Sequence, residues 1–175
     1  MNNYFCADLH LDQPSIIKFR NQFTDHKEHD LFLKENYHKV VRPRDFVNML
    51  GDVCMSPAAI EELRTWDGIK SIYLGNHDNA EFKKRGVSLE MLQSVFEDRI
   101  YGFARKHGFW VSHCPIAEEE LRGRINLHGH VHNKTIQKFG YLNLSMENIN
   151  YKPTSLDKIR ENIKANSKQY GIDAE

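Results

Sequence analysis

The sequence predicts an α/β protein folded as a four-layer α-β-β-α sandwich, on three observations. Short apolar runs rich in β-branched and aromatic residues recur along the chain, each bounded by turn residues. Longer amphipathic stretches alternate with them, which is the signature of layered strands and helices. The runs of the second half follow one another more closely than those of the first, pointing to a second, more antiparallel sheet. A length of 175 residues suits a single domain over 1–175, with the last few residues frayed.

Taken in order, the runs place strands at Tyr4–Ala7, Phe46–Leu50, Ile69–Leu74, Gly108–Ser112, Ile125–Leu127 and Tyr141–Leu144. Between the first two, residues 27–40 carry Leu31, Phe32, Tyr37 and Val40 at helical spacing. Ser56-Pro57-Ala58-Ala59-Ile60-Glu61-Glu62-Leu63 opens with a capping serine and a proline in the first turn, so a helix starts there. Ser88–Phe96 and Ser155 to about Ile163 have the same character.

Composition narrows the function classes. Lys plus Arg equals Asp plus Glu at 24 each, so no global charge favours a polyanion or an anionic membrane. The local basic run Lys83-Lys84-Arg85 is expected to be solvated surface. No basic stripe with interleaved aromatics supports nucleic-acid binding. Three cysteines, at 6, 54 and 114, form no close pair and no thiolate zinc motif, and are expected as small packing residues in a reducing compartment. With no signal peptide and no membrane-length apolar stretch, a cytoplasmic protein is expected.

The departure from average composition is histidine, at ten residues. Each strand end carries polar residues of one kind: Asp8-Leu9-His10, Gly51-Asp52, Gly75-Asn76-His77-Asp78, His113, and Gly129-His130-Val131-His132. Each alone has an ordinary reading. Gly-Asn and Gly-Asp clusters make turns, an Asp-x-His pair is commonly surface polar, and a lone histidine in an apolar run is commonly a satisfied core residue. In joint order at successive strand ends, where α/β sheets build their ligand crevice, they supply the oxygen and imidazole donors of divalent cations. In an extended segment residues i and i+2 share a side, so Asp8 and His10 are expected to meet on one ion, and His130 and His132, also on one side, could each serve a different ion of a dinuclear pair.

This ordered set closely resembles the calcineurin-like metallophosphoesterase superfamily along nearly the whole chain. Ile16-Ile17, Asn143-Leu144-Ser145-Met146-Glu147 and Tyr151-Lys152-Pro153-Thr154-Ser155-Leu156 look like its small, cap-free bacterial and phage members. The resemblance implies two divalent ions, manganese first, with iron or zinc as alternatives. One would take Asp8, His10 and His132, the other Asn76, His113 and His130, with Asp52 bridging. It further implies that His77 stands beside the substrate phosphate, that Asp78 orients it, and that Asn76 touches both metal and phosphate. The implied chemistry is hydrolysis of a small or accessible phosphoester by a water shared between the ions, with His77 assisting the leaving group. A phosphodiesterase is expected ahead of a phosphomonoesterase; a mononuclear hydrolase or a non-catalytic scaffold are the rivals.

Two departures stand out. Asp12-Gln13 occupies the place where many small relatives have Gly-His, and Gly51-Asp52-Val53-Cys54-Met55-Ser56 lacks the Asp-Arg-Gly continuation of Ser/Thr protein phosphatases. His128 is expected just behind the metal ligands, and His26, His29 and His38 in solvent.

Overall fold

The computed structural model describes residues 1–80 and 86–169. The run Lys83-Lys84-Arg85 and the end of the expected frayed tail lie outside them. Among the described residues the strands form two mixed sheets flanked by helices, as the alternation of short and long apolar periods predicts.

In the first sheet β1 (Asn3–Cys6), β2 (Phe46–Met49) and β3 (Ile69–Tyr73) lie parallel. Two short edge strands close it, β4 (Ile100–Tyr101) parallel to β3 and β9 (Thr154–Ser155) antiparallel to β1. The second sheet runs β5 (Phe103–Lys106), β6 (Phe109–Ser112), β7 (Asn126–His128) and β8 (Tyr141–Asn143). Only the β5–β6 hairpin is antiparallel; β6–β7 and β7–β8 are parallel, so the expectation of a more antiparallel second sheet is corrected. The segments between β6, β7 and β8 cross over rather than double back, which returns each strand in the same direction. The functional consequence is that all the parallel strands finish at one edge.

Side chains alternate across the pleat as expected. Phe5, Ala7, Leu50 and Tyr73 of the first sheet and its strand ends pack against Val111, Leu127 and Leu144 of the second, with Ile159 of the last helix, Leu156–Gln169. The opposite face, with Cys6, Val47, Met49 and Ile72, is covered by helices. Of these, α1 (His26–Val40) is capped by Asp25, whose carboxylate accepts from the amides of Lys27 and Glu28. Helix α2 (Pro57–Arg64) begins behind Ser56, whose side chain accepts from the Ala59 amide. The short α3 (Asn76–Ala80) follows β3 directly.

The buried face of α1 differs from the predicted one. His29, Leu33, Asn36 and Tyr37 point inward, while Leu31 and Phe32 are exposed. The expectation that His29 is solvated is therefore wrong; an i, i+4, i+8 row through Leu33 and Tyr37 carries it into the interior. No helix among the described residues is long and apolar enough to cross a membrane.

Candidate metal centre

The strand ends meet. Main-chain bonds tie the loops together: Asp8 N donates to Gly51 O (3.0 Å), Gly129 N to His113 O (2.9 Å), and Ala7 N to Leu144 O (2.9 Å). The loops are not extended, which corrects the reason given for side-chain convergence. Asp8, His10 and Asp12 have left-handed φ angles of 59°, 52° and 59°, and His130 and His132 have 71° and 50°. Alternate left-handed residues coil the backbone, and this coiling, not the pleat, turns Asp8 with His10 and His130 with His132 toward one point. Such conformations are uncommon outside glycine and tend to persist where surrounding bonds over-determine them. Two glycines allow the close approach. A Cβ on Gly129 would stand 2.5 Å from both Ala7 Cβ and Asp8 Oδ2, and one on Gly75 would collide with the Asp52 carboxylate.

Among the described residues, three overlapping groups of donors lie at this centre, each with ligand atoms within 4.8 Å of one another: Asp8 with His10 and His132, Asp8 with Asp52 and His113, and His113 with His130 and Cys114. Asn76 and His130 complete the second group. Asn76 Oδ1 lies 3.0 Å from His113 Nε2 and 3.0 Å from His130 Nδ1, His113 Nε2 lies 3.2 Å from His130 Nδ1, and Asp52 Oδ2 lies 3.4 Å from His113 Nε2. With bonds of about 2.1 Å, neighbouring donors around a cation stand about 3.0–3.4 Å apart. The second group has that spacing. His10 Nε2 stands 3.9 Å from both Asp8 Oδ1 and Asp52 Oδ2, within the ~4.2 Å that opposite donors of such a shell span.

The imidazoles are poised as ligands. His10 Nδ1 faces Gln13 Oε1 (2.6 Å), His113 Nδ1 faces Leu50 O (2.8 Å) and His132 Nδ1 faces Glu147 Oε1 (3.0 Å). Those oxygens can only accept, so each Nδ1 carries a proton and donates it, leaving Nε2 directed at the centre. Gln13, at the departure from the relatives' Gly-His pair, thus orients His10. Two of the inward atoms, Asp8 Oδ1 and His10 Nε2, are buried with no hydrogen-bond partner. A buried carboxylate oxygen and imidazole nitrogen left bare cost stability unless something binds them; a divalent cation fits both.

Electrostatics agree. Burial depresses His10 to a pKa of about 3, so it is neutral and ready to ligate. Burial raises Asp8, against the pull of His113 and His132. At His113 burial opposes the charged ring, but the hydrogen bond and charge of Asp52 and the charge of Asp8 outweigh it and raise the pKa from 6.5 to about 9. In the metal-free chain a proton on His113 therefore occupies the place of a cation's charge. It stabilises the metal-free fold fully below about 6.5, and that contribution is lost as pH rises through about 9. Cation binding must displace this proton. Calorimetric titration with Mn²⁺ in buffers of different ionisation enthalpy is accordingly expected to show proton release at pH 7 that vanishes above pH 9, with affinity rising up to about tenfold per pH unit between.

The remaining predicted residues are also here. His77 donates its main-chain N–H to Asp52 Oδ1 (2.9 Å), its Nε2 is 3.9 Å from Asp52 Oδ2, and its ring meets His10 edge-on at 5.5 Å. Asp78 is fully buried and turns both carboxylate oxygens to the main chain, accepting from Asp52 N (2.6 Å), Val53 N (3.0 Å) and Gly75 N (2.9 Å). It braces the loop that delivers Asp52, a task its place beside His77 did not reveal. His128 is buried, with Nδ1 2.9 Å from the Gly129 carbonyl. Cys6 and Cys54 pack in the interior, but Cys114 is exposed and its sulfur joins His113 and His130 within 4.8 Å, so the packing expectation fails for that cysteine. Beside it opens a cleft of about 340 Å³ bounded by Leu74, Asn76, Gly102 and His113.

Sequence reasoning missed Arg20 and Asp30 and gave Glu147 no role. Arg20 is completely buried, and its Nε donates to Glu147 Oε1 at 2.8 Å. Burial alone would raise the Glu147 pKa, yet the bonds from His132 and Arg20 hold it down at about 2. Isolated Arg and Glu residues 127 positions apart leave no pattern in a sequence.

No family model matches the chain. The uncharacterized protein MJ1445 of Methanocaldococcus jannaschii is 31% identical over 170 residues, covering 89% of this chain and 88% of that protein. The crystal structure of AQ665, a protein of unknown function from Aquifex aeolicus, matches with a TM-score of 0.70 at 24% identity, over 91% of this chain and 98% of that one. That likeness bears on the fold, two sheets with flanking helices.

Proposed function

The chain belongs to the same family as MJ1445, and we propose that it is a dinuclear metal-dependent phosphoester hydrolase of the calcineurin-like metallophosphoesterase type, a phosphodiesterase in the first instance. The observation that carries the reading is the pair of bare, buried donors, Asp8 Oδ1 and His10 Nε2, facing a second donor group across Asp52. One ion would be held by Asp8, His10 and His132 and the other by Asn76, His113 and His130, with Asp52 available to both. Manganese is the first candidate, with iron or zinc behind it. Bound there, the two ions supply Lewis acidity that activates water and neutralises phosphoryl charge.

The protein groups do the rest. Asp8 and Asp52 leave a surplus of positive charge for an anionic substrate, because the histidine ligands are neutral. Asn76 positions the phosphoryl group beside the second ion. His77, part-exposed at the rim and outside the donor groups, is placed to assist the departing oxygen. Arg20, the guanidinium bonded into this centre, gives its hydrogen bonds to Glu147, His29 and the main chain, so its charge is committed to the protein and not to the phosphoryl group. That arrangement suits the single charge of a diester better than the double charge of a monoester. The uncapped cleft beside Asn76 suits an accessible substrate.

The test is a comparison of bis(p-nitrophenyl) phosphate with p-nitrophenyl phosphate on the Mn²⁺-loaded protein. Faster turnover of the diester is expected. Faster monoester turnover would reassign the enzyme as a phosphomonoesterase, and full metal occupancy with no turnover of either would make it a metal-binding scaffold.

A further inference from the structure

Behind the first donor group runs a line of polar groups, with Arg20 and His29 fully buried at its middle, that ordinary core packing does not call for. Arg20 has no solvent exposure. Its Nη2 donates to Asp8 O (2.6 Å) and its Nη1 to Leu9 O (3.3 Å), so the fork grips the main chain of the Asp8-Leu9-His10 loop. Its Nε donates to Glu147 Oε1, and the same oxygen accepts from His132 Nδ1. On the other side Nη1 meets His29 Nε2 at 2.7 Å, His29 Nδ1 meets Asp30 Oδ1 at 2.7 Å, and Asp30 Oδ2 accepts from Asp12 N at 2.7 Å. The guanidinium can only donate, so His29 Nε2 accepts and its Nδ1 carries the proton toward Asp30. The line therefore begins at Asp12, the third left-handed residue of the first loop, and ends on His132 in the last.

We propose that Arg20 and Glu147 are positioning residues for the ion site of Asp8, His10 and His132: Glu147 fixes the protonated nitrogen and ring angle of His132, and Arg20 locks Glu147 to the coiled Asp8–Asp12 loop. This rests on the reading of the centre as a metal site. Two observations separate the role from general stabilisation. A buried ion pair is a weak stabiliser compared with apolar packing of the same volume, and Glu147 Oε2 is left buried without a hydrogen-bond partner, which a pair kept for stability alone would avoid. In addition, the main-chain contacts of Arg20 land on the two residues that lead into His10, so the guanidinium sets the loop's coil where the donors leave it. Because a ligating imidazole takes its orientation from the acceptor on its far nitrogen, loss of that acceptor weakens metal affinity by about 10–100-fold.

The test is calorimetric titration of metal-free wild type, Glu147→Gln and Arg20→Lys with Mn²⁺, together with ¹⁵N NMR of the His132 ring in the metal-free wild type. Lysine keeps the charge but cannot reach Glu147 and both carbonyls together. In each variant one of the two ion affinities is expected to fall at least tenfold while the other stays within twofold, and His132 is expected to carry its proton on Nδ1. Unchanged affinities, an equal fall at both sites, or a neutral His132 ring protonated on Nε2 instead of Nδ1 would overturn the proposal. Should either variant fail to fold, the ring tautomer still decides. A wild type that binds no Mn²⁺ at all would instead remove the metal centre itself, so the two failures are distinct.

Discussion

Asp52→Asn is expected to lower phosphoester turnover on the order of 10³-fold, at the upper end of what losing one group of a preorganised electrostatic site removes. Asp52 is 2% exposed, and its Oδ2 lies 3.4 Å from His113 Nε2 and 3.9 Å from His10 Nε2, between the two donor groups. Asparagine has the same shape and tolerates the left-handed backbone of this position, φ 53°. It also keeps an oxygen for the His77 amide. What it lacks is the negative charge and second oxygen that let one side chain serve two cations. The far-UV circular dichroism spectrum should therefore change little while bound metal per chain drops and turnover collapses, which sets charge loss apart from misfolding. The charge partner of His113 disappears with it, so the His113 pKa should fall from about 9 toward its ordinary value and proton release on titration should shrink.

His77→Gln is the second large effect, and it dissociates chemistry from metal binding. His77 belongs to neither donor group, so metal content should match wild type. A positioned proton donor contributes about 10²–10⁴-fold. That loss should appear with alkyl esters, whose alkoxide must be protonated as it leaves. With p-nitrophenyl esters, whose phenolate departs unaided, the loss should be far smaller. Equal losses with both leaving groups would assign His77 to substrate binding instead.

Much of the fold was legible because its determinants are local. The runs that became β1, β2, β3 and β6 have the length and the aromatic or β-branched content of buried strands, and Ser56-Pro57 announced α2. The two-residue strands β4 and β9 were not legible, since two residues show no period and their pairing is set by neighbours far away in the chain. The donors were legible as residue types at strand ends. The manner of their convergence was not: left-handed backbone at Asp8, His10, His130 and His132 is imposed by tertiary bonds, and nothing in Asp-x-His or His-x-His spells it. The same holds for Arg20 and Glu147, for the burial of His29, and for the exposure of Cys114 beside the second donor group. Each is a relation between distant segments, and one sequence carries no record of such relations.

Anomalous diffraction from crystals grown with Mn²⁺ addresses the central claim most directly. Two peaks about 3.5–4 Å apart are predicted, one among Asp8, His10 and His132, the other among Asn76, His113 and His130, with the Asp52 carboxylate between them. No peak at this edge of the sheets, or ions bound while Asp8 Oδ1 and His10 Nε2 stay bare, would contradict it.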